Sequence, residues 1–406
     1  MTTLSTRCCI AGGGPAGIML GYILARAGID VVVLEKWPDF FRDFRGDTIH
    51  PATMQNLHEL GLLEKFLALP HQKTRQIVAH VNGEEVVLAD FSYLSARSPF
   101  VAFSPQWDFL NFLSGEAKKL DTFTLLMNTE ATDVIKEGER VVGVRGKGPD
   151  GELEIHADLI VGADGRHSTM REKGSFEFQE AGVPIDVLWF RLSARTTDPE
   201  QSFGYIDDGK IMVMLDRGDY WQCGFVISKG DFDHIQNEGL EKFKFTIARL
   251  APFISPSVVE LTSWDQIKLL SVTIDRAKKW HNPGILLIGD AAHAMSPIGG
   301  VGINLAIQDA IAAGNILVPA FRGGKPQEKH LQMVQSQREF PTKMTQRLQT
   351  FAQDRILIPY LQATVRKKEV PWFFRLFHNV PLLRAIPALA IGNGFRPEHV
   401  TVDFGG

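Results

Sequence analysis

Two glycine-rich segments near opposite ends of the chain, GGGPAG at Gly12 to Gly17 and GDAAHAMSPIGGVGIN from Gly289 to Asn304, constrain the fold most. The first follows the apolar run Cys8, Cys9, Ile10, Ala11. It precedes Ile18, Leu20, Ile23, Leu24 and Ala27, whose spacing is helical and which stop at Gly28. That order is strand, tight turn, helix. Gly12 permits the turn, Gly14 lets the backbone approach a pyrophosphate, Gly17 lets helix and strand pack closely, and Pro15 and Ala16 open a helix whose free N–H groups favour phosphate. A second apolar strand, Val31 to Leu34, ends in Glu35 and Lys36. Glu35 is an acid at the distance, roughly 20 residues on, expected for ribose hydroxyls. The unit is a complete βαβ dinucleotide fingerprint, and by itself it does not separate NAD from FAD.

The remaining composition narrows the class. At 406 residues and 44% hydrophobic, the chain has room for two or more domains. Its 43 Lys and Arg against 47 acids, net charge -4, argue against a nucleic-acid partner. Cys8 and Cys9 alternate on one strand and Cys223 is distant, so a disulfide framework is not expected and a reducing, cytoplasmic setting is. Met1 to Thr6 lacks an apolar signal core, and no uninterrupted apolar run is long enough to span a bilayer. No metal site is expected, because the histidines lack HxxxH or HExxH spacing and no CxxC occurs. No GxSxG elbow is present.

The stretch DLIVGADGRHSTMR, Asp158 to Arg171, and the segment at Gly289 and Asp290 resemble the DG and GD motifs of class A flavoprotein monooxygenases, the para-hydroxybenzoate hydroxylase-like aromatic hydroxylases. The resemblance covers roughly residues 5 to 320, with specific motifs in four places. It implies FAD, with Asp290 on the ribityl chain and Asp164 and Gly165 near the pyrophosphate and the nicotinamide route. Gly299, Gly302, Ile303 and Asn304 would seat the isoalloxazine, and Pro297 would shape the oxygen site. Arg45 and Gly46 match the family's arginine segment at the flavin phosphate, with Arg42 a rival. Gln106 takes the place of a further cofactor contact, and Val134 would meet the adenine through its backbone. The implied reaction is hydride transfer from NADPH or NADH to FAD, formation of a flavin C4a-hydroperoxide with O2, and hydroxylation of an electron-rich aromatic or quinone-like ring. A related dehydrogenase or reductase, or a non-catalytic redox sensor, is the alternative. A halogenase is disfavoured, because no two tryptophans stand two apart.

The expected architecture is α/β: a Rossmann-like FAD domain, residues 1–72, 98–180 and 272–350, interleaved with an antiparallel substrate sheet, 73–97 and 181–271, plus a C-terminal helical region, 351–406. Val187 to Ile227 reads as an antiparallel meander, and Thr74 to Asp90, turning at Asn82-Gly83, as a hairpin on the same sheet. On it, Arg191 and Tyr205 are the substrate candidates. Trp189 shares a face with Arg191, Met212 with Met214, and Trp221 with Cys223; each of these could equally be packing. His50 and His293 flank cofactor motifs and read more readily as structural than catalytic. The partners expected are an aromatic small molecule and O2, in a monomer or homodimer. Apolar clusters and basic residues between Arg355 and Arg396 raise a membrane-interface contact, disfavoured because Pro359, Pro371, Pro381 and Pro387 break the stretch.

Overall fold

The computed structural model describes residues 2–41, 48–199, 203–361, 376 and 380–405. Its first layer grows around β1 (Thr2–Ala11), whose last four residues are wholly buried, as a strand flanked on both edges and both faces must be. Parallel to it lie β2 (Val31–Leu34), on whose far edge sits β8 (Phe123–Leu126), and, on the other side, β11 (Gly151–Gly162) and then β20 (Ile285–Leu287). Antiparallel β19 (His281–Asn282) closes that edge, while β9 (Glu130–Glu137) and β10 (Arg140–Gly148) extend β11. Among the described residues this makes an eight-stranded sheet.

Helices cover it. These are α1 (Pro15–Arg26), α2 (Pro51–Glu59), α3 (Leu63–Leu67), α4 (Gln106–Ala117), α5 (Thr169–Lys173), α8 (Gly302–Arg322) and α9 (Glu328–Ala352). Helices α1 and α8 cross closely because Gly314 lies against Ile23; a Cβ there would stand 2.6 Å from Ile23 Cγ2. By length and hydropathy alone residues 298–322 would suffice to cross a membrane, yet 83% of the apolar stretch is buried, which makes α8 a core helix here.

The second layer is a seven-stranded sheet of β5 (Gln76–Val81), β6 (Glu84–Asp90), β13 (Ile185–Ser193), β14 (Phe203–Asp207), β15 (Lys210–Asp216), β16 (Tyr220–Ser228) and β17 (Lys268–Ser271). Its order is β17-β13-β16-β15-β14-β5-β6. The expected meander is thus corrected: β14, β15 and β16 are consecutive antiparallel neighbours, but β13 pairs with β16 instead of β14. The hairpin joins through β5, which runs parallel to β14. A chain that leaves the sheet between strands can re-enter in either direction, a choice that the alternation of side chains does not encode.

Helices α6 (Phe232–Glu238) and α7 (Leu240–Leu250) cover one face of this sheet; Phe243, Ile247 and Leu250 pack on Phe190, Met212 and Trp221. Two small sheets join the layers: β3 (Thr48–Ile49), β4 (Gln72–Thr74) and β7 (Val101–Phe103), and β12 (Phe178–Ala181), β18 (Ile274–Ala277) and β21 (His293–Ala294). Past α9 the chain adds α10 (Ile358–Leu361) and α11 (Ala385–Gly392), and its last described residues form no regular element. Cys8, Cys9 and Cys223 are buried thiols in no disulfide.

Candidate active site

Glycines bring the motifs of the cofactor layer into van der Waals contact. Gly12, at φ +110°, sits so close to the DG segment that a Cβ would lie 2.3 Å from the Ala163 oxygen and 2.7 Å from Asp164 Cα. Gly17 abuts the Gly12 carbonyl in the same way, 1.9 Å from a built Cβ. Gly289, at φ +59°, would meet Ala16 Cβ at 3.1 Å and Ala306 Cβ at 3.3 Å, so the GD turn wedges between α1 and α8. Any L side chain at these positions meets backbone or a neighbouring methyl group, and at Gly12 and Gly289 it would adopt a strained φ as well.

Polar side chains then lock the turns. Arg171 forms a bidentate pair with Asp275, both contacts 2.9 Å, lies 4.0 Å from the Phe178 ring, and donates to the carbonyls of Ala291 (2.7 Å) and Asp290 (2.6 Å). It therefore ties the DG segment to the GD turn. Arg166 adds a second tie, its Nε 3.1 Å from Asp290 Oδ2 and its Nη2 donating to Met295 O. Asp164 faces inward and accepts from the Ser168 hydroxyl and, at 3.0 Å, from the Met170 N–H. Burial pushes its carboxyl above the ordinary value despite these bonds. Glu35, at the end of β2, accepts from Gly13 N and Trp37 N, each at 3.1 Å, and so braces the first glycine turn.

At the second glycine run, Asn304 holds the His50 N–H (2.9 Å) and the Thr53 hydroxyl (2.8 Å) on Oδ1, while Nδ2 reaches the Thr48 carbonyl at 2.9 Å. Its side chain binds β3 and α2 to α8, which leaves its backbone as the group that can face a cofactor. Gln349 of α9 grips the loop carrying Pro297, accepting from Ser296 N and donating to the carbonyls of Ser296 and Ile298. Gln106 opens α4 immediately after Pro105. Val134 is buried on β9 opposite Val144 of β10, and its N–H donates to the Asp133 carboxylate at 2.8 Å. Arg42, Arg45 and Gly46 lie outside the described residues.

An FAD suits this arrangement. No atom lies within 4 Å of the Cβ positions of Gly165 and Gly302, and the nearest to that of Gly14 is 3.9 Å away, so three motif glycines border open space. Among the described residues, Arg166 Nη1 is buried without a hydrogen-bond partner at the junction of the DG and GD motifs, a donor suited to an anionic or hydroxylic ligand. Beside it opens a cavity of about 430 Å³ lined by Arg166, His167, Thr169, Phe176 and Phe178.

Residues 5–348 match the model of the FAD binding domain family. The chain belongs to the class A FAD-dependent aromatic hydroxylases. As a member it takes FAD, draws electrons from NAD(P)H and transfers oxygen to an aromatic small molecule. It is 31% identical over 368 residues, 89% of its own length and 87% of the relative's, to 6-methylpretetramide 4-monooxygenase of Streptomyces rimosus. It is 26% identical to para-nitrophenol 4-monooxygenase of a Pseudomonas strain, over 78% of each chain. Among solved structures, OxyS anhydrotetracycline hydroxylase from Streptomyces rimosus aligns with TM-score 0.75 and 25% identity, covering 96% of this chain and 76% of that one.

In this hydroxylase the substrate candidates separate. Strand register puts Val187, Trp189 and Arg191 on one face with Gly224, Val226, Ile211 and Ile206, and that face packs against Ile298, next to Pro297. The Trp189 ring lies over Gly224, where a Cβ would come within 3.0 Å of it. Arg191 stands 4.6 Å over the Tyr220 ring. Tyr205 is a correction. It pairs with Met212 on the opposite face, stacks on His80 at 4.8 Å and packs toward Phe253 and α7, because β14 enters the sheet in the register that turns its odd residue outward. Met212, Met214, Trp221 and Cys223 share that outer face and form the α7 core.

Sequence reasoning passed over Asp309, Arg338 and Gln349. Asp309 did carry a signal, an acid inside the apolar run of α8, whereas Gln349 sits in a helix that reads as polar throughout.

Proposed function

We propose that this hydroxylase acts on a planar, fused-ring phenol or quinone-like compound with an acidic or enolic oxygen. The observation that carries this reading is the inner face of the seven-stranded sheet, where the Trp189 ring, laid flat on Gly224, lies among Val187, Ile211, Val226 and Ile298 beside Arg191. Such a slab suits an extended ring system, and a guanidinium suits a delocalised oxyanion. The naming of relatives for pretetramide and anhydrotetracycline supports the fused-ring class.

Bound FAD supplies hydride acceptance from NAD(P)H and activation of dioxygen. The chain's part is placement and exclusion. Glu35 would receive the ribose and Asp290 the ribityl chain, and Gly165, Gly299, Gly302 and Ile303 would offer backbone to phosphate and ring. Arg171 fixes the carbonyls of the GD turn, so Asp290 is presented without rearrangement. Gln349 sets the loop from which Pro297 would face the ring and Ile298 meets the sheet, and the apolar inner face would keep water from the reacting carbon. The cavity beside Arg166 and His167 is the proposed approach for the nicotinamide nucleotide.

The test compares fused-ring and single-ring phenols for stimulated NADH and NADPH oxidation and for a product heavier by one oxygen atom. Tetracyclic polyphenols are expected to stimulate oxidation and gain oxygen; turnover of single-ring phenols alone would overturn the fused-ring reading. Arg191→Met should raise KM about tenfold with FAD content unchanged, as loss of one charge-assisted contact implies.

A further inference from the structure

Behind the GD turn, away from the open space, lies a buried cluster of charge that the motif reading does not use. Asp309 of α8 is fully buried, and its Oδ2 accepts the Gly289 N–H at 3.0 Å. The same oxygen is 2.6 Å from His293 Nε2, and Oδ1 accepts from Arg338 Nε of α9 at 2.9 Å. Arg338 in turn reaches Glu398 of the C-terminal tail at 3.2 Å. Burial would raise the Asp309 carboxyl, but His293 and Arg338 outweigh it and hold it below the ordinary carboxylate value.

Gly289 is the residue before Asp290, and its left-handed φ leaves its N–H aimed away from the solvent side of the turn. On the opposite side of that turn, Arg171 holds the Asp290 and Ala291 carbonyls. The turn is therefore gripped at an N–H by an anion and at two carbonyls by a cation, each group matched to the pole it holds.

We propose that Asp309 is a positioning residue for the flavin: through the Gly289 N–H it sets the angle at which Asp290 is offered to the ribityl chain. The proposal rests on the reading of Asp290 as a ribityl contact. Arg338 and His293 hold the carboxylate ionised and oriented, and Glu398 anchors Arg338, so the tail is joined to the flavin turn through three side chains.

The test is the rate at which FAD leaves the holoenzyme, followed by released-flavin fluorescence well below the melting temperature. The variants are Asp290→Ala, Asp309→Ala, Asp309→Asn and the double Asp290→Ala, Asp309→Ala. Asp309→Ala should speed release about tenfold, and the double variant should add little to Asp290→Ala, because both act on one contact. Asparagine keeps one oxygen for Gly289 and places its amide against Arg338, so Asp309→Asn should lower the melting temperature yet release FAD within about threefold of the parent rate. Release from Asp309→Asn as fast as from Asp309→Ala would overturn the proposal, as would full additivity in the double variant.

If Asp309→Ala does not fold, Arg338→Gln takes its place beside Asp309→Asn. Both should melt lower, and Arg338→Gln, which removes the group that orients the carboxylate, should also release FAD faster than Asp309→Asn; release at the parental rate from Arg338→Gln would overturn the proposal. Unchanged release from Asp290→Ala with fast release from Asp309→Ala would reject the Asp290 assignment and keep the positioning of the turn.

Discussion

The two sheets solve different problems with different residues. In the cofactor layer, Gly12, Gly17 and Gly289, which have no room for a methyl group, bring the turns together, and arginines are spent on backbone groups far away in sequence, as Arg171 is on the Asp290 and Ala291 carbonyls. In the substrate layer, the inner face holds mostly apolar side chains packed on one another, Val187, Ile211 and Val226 among them. A rigid, over-determined seat therefore faces a surface whose residues can be exchanged without dismantling the fold, as expected where a common cofactor meets a variable substrate.

That contrast breaks if substitutions on the two sides have similar consequences. The largest expected effect is on the cofactor side: Arg171→Met should cost about 3–5 kcal/mol in urea unfolding, since it takes the guanidinium from the largely buried Asp275 carboxylate and from two carbonyls. Loss below about 1 kcal/mol would show that the seat is not over-determined.

Next comes pH. Burial holds His50 down to about 4 from 6.5, with Nδ1–H donating to the Ile391 carbonyl at 2.7 Å. A depressed folded value means that this contribution is fully present above pH 6.5 and is lost as pH falls toward 4. The loss amounts to about 3 kcal/mol at one pKa unit per 1.36 kcal/mol. Unfolding free energies at pH 7.5 and 4.5 should fall more steeply for the parent than for His50→Asn, and equal slopes would reject the assignment.

The smallest effect belongs to the substrate side. Tyr205→Phe should leave kcat/KM within about twofold of the parent value, because the ring packs on the face turned from the flavin. A tenfold loss would return Tyr205 to the substrate pocket.

These differences match what the chain discloses before it is folded. The motifs of the proposed cofactor seat were legible because such chemistry needs residue types at fixed spacing, Gly12, Gly14 and Gly17 before a helix and Asp290 after a strand. The supports of that seat were not, since Asp309, Arg338 and Gln349 become neighbours of the GD turn only when α8 and α9 pack behind it. On the substrate sheet the alternation was legible, and it put Trp189 and Arg191 on one face, as the register does. Which face turns toward the cofactor depends on strand order, and the parallel entry of β5 beside β14 and the pairing of β13 with β16 decided against Tyr205.

Strands β1 and β2 are separated in sequence by α1 and its turns alone, but β11 begins at Gly151 and β20 at Ile285. On the ribosome, the nascent chain thus carries the first phosphate-binding turn long before the GD turn that completes the seat exists. One edge of β1 waits uncovered until β11 has been made, a state that favours chaperone capture or slow closure over early docking of cofactor. A premature stop just before Gly289 would leave the βαβ fingerprint whole but without the GD turn that faces it.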